Sequence, residues 1–485
     1  MEQRRLGSFP VVTLPMRAVI SCILVGLLPF ALTGPASGRS QDAAHTFYVD
    51  AERGDDGHEG STPDDAWRSL DKVNGAALRP GDTVLFRRGR TWRGQLRPQS
   101  GSASGVVTYG AFGDGPKPVL LGSVAMDRRE DWRERGGPIW VTASPACLLP
   151  GSLSADVGNI VFDGGRATGT RKWKDEDLVG DGDFLYDAAT CQVRLRSEQN
   201  PAANHRSIEL ALARHIIDES GRAYVTYEDL DLRFGGAHGI GGGGVHHITV
   251  RDCDLSFIGG GHQKTLSDGT PVRYGNGVEF WNDARECLVE RCRLWEIYDA
   301  ALTNQGDGVN VQEDIVYRLN VIWNSEYCFE FWNRGPASRT RNVRFEHNTC
   351  VDAGYGWGHR QRSDPNGHHL MFYDNTSVTS DVRIRYNIFY NASDTCLRLD
   401  GRDWSESLDL DYNCFFQPRG PLLLWRGEQI GTDGFKAFLG KRGLGLHSIA
   451  ADPKFVDAAA NDYRLAPDSP ARALTDAHGP AGALR

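Results

Sequence analysis

Two segments of this chain repeat one arrangement of reactive side chains, Gly277-Val-Glu-Phe-Trp-Asn282 and Cys328-Phe-Glu-Phe-Trp-Asn333. If both are strands, alternation puts Glu279 and Trp281 on one face and Glu330 and Trp332 on the matching face. A pair of carboxyls is the working unit of glycosidic cleavage: one protonates the leaving oxygen while the other activates water. A flanking indole excludes water and so raises the pKa of one carboxyl, as an acid catalyst needs. The indole face also stacks on the C–H surface of a sugar ring. Glu279 and Glu330 are therefore the expected acid/base pair, with Trp281 and Trp332 as sugar platforms. Asp299 is an alternative acid, as is Asp307. Both of these, and Asp283 and Glu326 with them, also fit as turn residues.

A different chemistry is written into other positions. β-Elimination from a uronate needs cations to neutralise the acid and a base to take the C5 proton, and Lys264, Arg273, His359, Arg360 and Arg362 are candidates for those parts. Strand alternation points His359 inward, so a core histidine is its competing role. Gln305, Arg360, Arg398 and Asp400 fall on the outward set with the glutamates and are expected to bind substrate along the same face. A glycan-binding surface without turnover is the third reading. Gly241-Gly-Gly-Gly244 lacks a following helix and reads as a tight turn. His246-His247 has no partner at ligand spacing, so no metal site is expected. Asp181-Gly-Asp183 reads as a turn; no cofactor is expected, and calcium is compatible but not indicated.

What positions these residues is a repeat. An apolar–skip–apolar segment followed by Cys or Asn returns at Ile248 (Cys253), Cys287 (Cys292), Ile315 (Asn320), Val343 (Asn348), Val382 (Asn387) and Leu408 (Asn413), with Val225 and Leu230 as an earlier copy. From Leu230 to Asn413 the turn column steps by 23, 39, 28, 28, 39 and 26 residues. A period-2 unit of this length buries its apolar face only against its neighbours, which predicts a strand-built solenoid. The Asn column reads as a structural ladder. The two 39-residue steps carry insertions, expected at roughly 257–276, before the Glu279 strand, and 361–368, after a strand at Gly356–Arg360, which puts two loops beside one groove.

The 485 residues carry a formal charge of −9, which excludes a polyanion-wrapping face rich in Lys and Arg. No nucleic-acid partner is expected; the expected partner is a polysaccharide or oligosaccharide, bound by a monomer. Arg4, Arg5 and Arg17, the apolar run Ala18–Leu32 and the small residues to Gly38 read as an export signal over 1–38, with no membrane span after its removal and a secreted or periplasmic product. Nine cysteines follow that signal without a CxxC pair and are expected mostly as buried apolar residues; a Cys147–Cys191 disulfide is compatible with an oxidising compartment. Residues 45–137 are expected to form a cap and first coils, with a short helix over 64–73. Short strands across 138–215 break the rhythm and read as an inserted β subdomain. Central coils follow over 216–417, and C-terminal coils and a cap over 418–485.

Phe47-Tyr-Val-Asp50, Arg79-Pro-Gly-Asp-Thr-Val-Leu-Phe86, Tyr109-Gly-Ala-Phe-Gly113, the coils and Ala451-Asp-Pro-Lys-Phe-Val456 together resemble secreted right-handed parallel β-helix proteins of the pectate-lyase-like superfamily. The inserted subdomain resembles one found in some glycoside hydrolases of that group. The resemblance implies an all-β right-handed parallel β-helix solenoid with an N-terminal cap helix, acting on carbohydrate. It names no reaction, because the superfamily includes hydrolases, lyases, epimerases and adhesins.

Overall fold

The computed structural model describes residues 44–143, 153–401 and 407–483. There the period-2 segments form three long sheets in which each strand pairs with its counterparts one coil earlier and one later. The first sheet has ten strands, from Thr46–Val49 to Leu408–Asp411. The second has ten, from Thr91–Arg93 to Ile449–Ala450, and the third nine, from Ile217–Asp218 to Glu428–Ile430. Every pairing in them is parallel except the last of the third sheet. One coil visits the sheets in turn: Val311–Arg318, Val321–Trp323, Tyr327–Asn333, then back to the first sheet at Arg339–Glu346. The chain is a right-handed parallel β-helix.

The repeat's apolar columns are the inward rows. Ile315 pairs with Val343, Val343 with Val382 and Val382 with Leu408, and all four belong to one continuous core. The passage from first to second sheet is made by a single left-handed residue, at Asp252, Arg291, Leu319, His347, Tyr386 and Tyr412, with φ between 53° and 61°. That corner orphans backbone groups, and the next residue satisfies them. Asn320 N donates to Asn348 Oδ1 at 3.0 Å, Asn348 N to Asn387 Oδ1 at 2.8 Å and Asn387 N to Asn413 Oδ1 at 2.9 Å. Each amide nitrogen also reaches a carbonyl of the preceding coil, as Asn348 Nδ2 reaches Tyr317 O at 3.0 Å.

The ends are closed as a solenoid requires. Ser69 caps the helix Leu70–Gly75 by accepting from Lys72 N, and Leu70 and Val73 join the core. This helix is shorter than the expected 64–73, because Trp67 is drawn into a bridge with Val49 and a 4.6 Å stack on Phe47, leaving Pro63–Asp65 as a separate turn. At the far end Thr432–Gly440 buries Phe435 and Leu439, and the antiparallel pair Phe455–Asp457 and Asp462–Leu465 lies over the second sheet, with the Tyr463 ring 6.0 Å from Trp323. The expected strands of the insertion lie in two sheets, antiparallel except for the pairing of Thr170–Arg171 with Asp183–Asp187, that also draw in Ser123–Ala125 and Trp132–Gly136, around a separate core containing Ile160, Phe184 and Leu210.

Seven described cysteines are free and buried, and Cys191 is disulfide-bonded. Cys147 and the expected export signal lie outside the described residues. No helix among the described residues is long and apolar enough to cross a membrane.

Candidate active site

In the third sheet Glu279 pairs with Thr303 and Thr303 with Glu330, while Trp281, Gln305 and Trp332 form the row beside them. Val278, Phe280, Phe329 and Phe331 point into the core, so both glutamates stand on the outer face. Two strand spacings separate their Cα atoms by about 9.6 Å. Despite facing outward, Glu279 and Glu330 are only 7% and 6% exposed.

Each glutamate is held by one oxygen and open at the other. Glu279 Oε2 accepts from Asn276 Nδ2 at 2.6 Å and lies 3.0 Å from His238 Nε2. Glu330 Oε2 accepts from Gln305 Nε2 at 2.7 Å. Neither Oε1 has a protein partner among the described residues, and neither is sealed from solvent. Burial raises the Glu279 pKa, but the charge of His238 and the hydrogen bonds from His238 and Asn276 outweigh it, and the carboxyl titrates below its ordinary value. Burial pushes Glu330 well above the carboxylate range, and the charges of Asp299 and Glu279 push the same way. Two carboxyls in one row thus favour opposite protonation states.

Asp299 is the third acid. It leads into the strand carrying Thr303, and burial raises its pKa against the pull of Arg362, whose Nη1 lies 3.1 Å from Asp299 Oδ1. Arg362 also faces Glu326 Oε1 at 3.6 Å and lies over the rings of Tyr298 and Tyr327. Glu326, expected as a turn residue, is 2% exposed and anchors the second insertion: it takes Asn366 N–H at 2.8 Å and His359 Nδ1 at 2.9 Å.

That insertion differs from expectation. The strand of its coil is His368–Phe372, not Gly356–Arg360, so the extra residues precede the strand, at the same corner as the first insertion. Trp357 is the physical reason: its indole donates to Glu296 O at 2.9 Å and packs beside Tyr298, which peels this stretch off the sheet. Met371, not Arg360, therefore follows Glu330 in the row. Arg360 is exposed in the short helical turn His359–Gln361, and His359 is a partly exposed partner of Glu326, not a core histidine.

The remaining expected residues divide. Lys264 is exposed on the hairpin formed by Gly261–Thr265 and Pro271–Tyr274. Arg273 is buried, where desolvation lowers its pKa to about 10, and its donors go to Gly260 O, Gly158 O and Gln361 Oε1, tying the hairpin to the inserted sheets and the second insertion. Arg398 follows Met371 in the glutamate row and pairs with Asp400 through two 3.0 Å bonds. Trp281 and Trp332 lean together over Gln305, ring centres 5.7 Å apart at 23°, so each covers part of the other's face, and the Arg334 guanidinium lies over Trp332. Gly241–Gly243, expected as a turn, belongs to the strand Ile240–Gly243 beside Val278–Trp281. Among the described residues no group of three or more His, Cys, Asp or Glu is placed to hold a metal ion.

Sequence reasoning missed His215, His238 and Asn276. The signal was present: each lies two residues before the aligned positions Ile217, Ile240 and Val278, one column of the repeat.

No family model matches the chain. A lacto-N-biosidase of Bifidobacterium longum subsp. longum is 32% identical over 116 residues, 22% of this chain and 7% of that protein, so the chain spans a small part of that relative's length. A solved glycoside hydrolase superposes with a TM-score of 0.47 at 10% identity, over 79% of this chain and 96% of its own. A solved lacto-N-biosidase of Eubacterium ramulus superposes at a TM-score of 0.39 and 14% identity, over 80% of this chain and 66% of its own.

Proposed function

We propose that this β-helix is an exported glycoside hydrolase that cleaves an oligosaccharide or polysaccharide in the groove over its third sheet. Glu330 is the acid that protonates the leaving oxygen, and Glu279 is the carboxylate that activates water. The observation that carries this reading is the pairing of two buried glutamates, two strands apart, each with one free oxygen and with opposed pKa shifts. Asp299 raises the Glu330 pKa and so helps keep the acid protonated. The local similarity to a lacto-N-biosidase supports a carbohydrate substrate and makes lacto-N-biosides the first compounds to offer. Elimination is less well served, since Arg273 is buried and each of its three nitrogens already donates within the protein, to Gly260 O, Gly158 O and Gln361 Oε1.

The test is to incubate the purified protein with a glycan panel and follow both new reducing ends and the ultraviolet absorbance of unsaturated uronates. Hydrolysis gives reducing ends without that absorbance, and Glu330→Gln and Glu279→Gln each abolish it. Products that absorb, or cleavage that survives both substitutions, would refute the reading.

A further inference from the structure

The two donors on Glu279 Oε2 belong to side chains that have a second duty. His215, His238 and Asn276 stand in one column at the corner leading into the third sheet, and each accepts the backbone N–H of the next coil. His238 N donates to His215 Nδ1 at 3.3 Å, Asn276 N to His238 Nδ1 at 2.9 Å, and Ala300 N to Asn276 Oδ1 at 2.9 Å.

These bonds fix the opposite end of each side chain. A ring nitrogen that accepts an N–H carries a lone pair and no proton, so the proton of neutral His238 sits on Nε2, facing Glu279. An amide whose oxygen is taken by Ala300 must present its Nδ2 to Glu279. Both groups meeting Oε2 are thus donors, and a proton on that oxygen would confront two N–H groups. The titratable groups facing this imidazole are His215, stacked at 4.8 Å, Tyr274, edge-on at 5.2 Å, and Glu279, with Asp218 acting on His215. Burial, then His238, lowers the His215 pKa to about 4, so His215 is neutral above that value and brings no competing charge. Space for the ring comes from Gly241, which sits in the Glu279 row: a Cβ there would lie 2.9 Å from His238 Cβ and 3.1 Å from its Cδ2.

We propose that His238 is a positioning residue, its ring set by the bond at Nδ1 so that Nε2–H meets the Glu279 carboxylate, that orients this carboxylate by Oε2 and leaves Oε1 for the reaction. The catalytic part of this statement rests on the reading of Glu279 as the base.

The test compares wild type with His238→Phe, which keeps an aromatic ring but removes the donor, and His238→Gln, which restores an N–H. Isotope-edited NMR titration of the Glu279 carboxyl, assigned with Glu279→Gln, is run beside the pH dependence of kcat/KM. In His238→Phe the Glu279 midpoint rises by about one unit, and the acidic limb of the rate profile moves up with it while the alkaline limb stays. His238→Gln brings both back toward wild type. An unchanged Glu279 midpoint in folded His238→Phe overturns the proposal. A moved midpoint with an unmoved acidic limb upholds the hold on Glu279 and instead refutes Glu279 as the base. Nitrogen shifts of the wild-type His238 ring need no variant: a proton carried on Nε2 supports the proposal, and a ring whose proton sits on Nδ1 alone overturns it.

Discussion

The solenoid carries two polar ladders built on the same device, and only one of them leads to the candidate site. In the column Asn320, Asn348, Asn387 and Asn413, each side-chain oxygen caps the backbone of a neighbouring coil and each side-chain nitrogen reaches a carbonyl, so the ladder closes on itself. In the column His215, His238 and Asn276 the capping is the same, but the far ends of His238 and Asn276 are donated outward to Glu279. Identical residues consume one another's polar atoms and make scaffold. Unlike residues leave an atom over, and the site takes it. The second ladder stops at Ala300, whose side chain has no polar atom to offer, at the coil where Thr303 separates the two glutamates.

Substitutions can break this contrast. The largest effect is expected at the glutamates: Glu330→Gln should lower kcat by about 10³-fold, within the range set by loss of a general acid, and leave the melting temperature close to wild type. Asn348→Leu should do the reverse. It strips the acceptor from the backbone N–H of Asn320 and removes the Nδ2 donor to Tyr317 O, costing about 2–3 kcal/mol in denaturant unfolding, while kcat of the folded protein holds. Asn276→Leu touches both duties, and melting temperature and kcat should fall together, each by less than in the two preceding variants. If Asn276→Leu loses stability alone, the two ladders do not differ in function.

A smaller effect concerns a buried acid in neither ladder. Glu219 is fully buried, both its carboxyl oxygens lack hydrogen-bond partners among the described residues, and burial drives its pKa well above the ordinary value. A folded pKa raised above the unfolded one gives stability that is intact below the unfolded value, about 4.3, and is lost as pH rises through the folded value. Glu219→Gln has no such loss. Its melting temperature should match wild type at acid pH and exceed it increasingly as pH rises, and a constant difference at all pH values would show that Glu219 does not titrate this way.

The β-helix was legible in the sequence because the apolar columns and the Asn ladder recur in kind. The glutamate row was legible for a related reason: Glu279 and Glu330 share a strand context that repeats almost letter for letter. His238 and Asn276 were not found, because their column changes residue type at each coil, so nothing repeats but position. The second insertion was misplaced because the Gly356–Arg360 stretch has strand-like spacing, while the indole of Trp357 finds its partner at Glu296 outside the sheet. Burial of Glu326 depends on Arg362, His359 and Asn366, which arrive from 33 or more residues along the chain, a distance no local pattern spans.

The central claim is that Glu330 and Glu279 hold opposite protonation states in one groove. It is tested most directly by the carboxyl NMR signals of both residues in one sample of the wild-type protein at neutral pH, assigned with Glu330→Gln and Glu279→Gln. The account predicts a protonated carboxyl at Glu330 beside an ionised one at Glu279; two ionised carboxylates would contradict it.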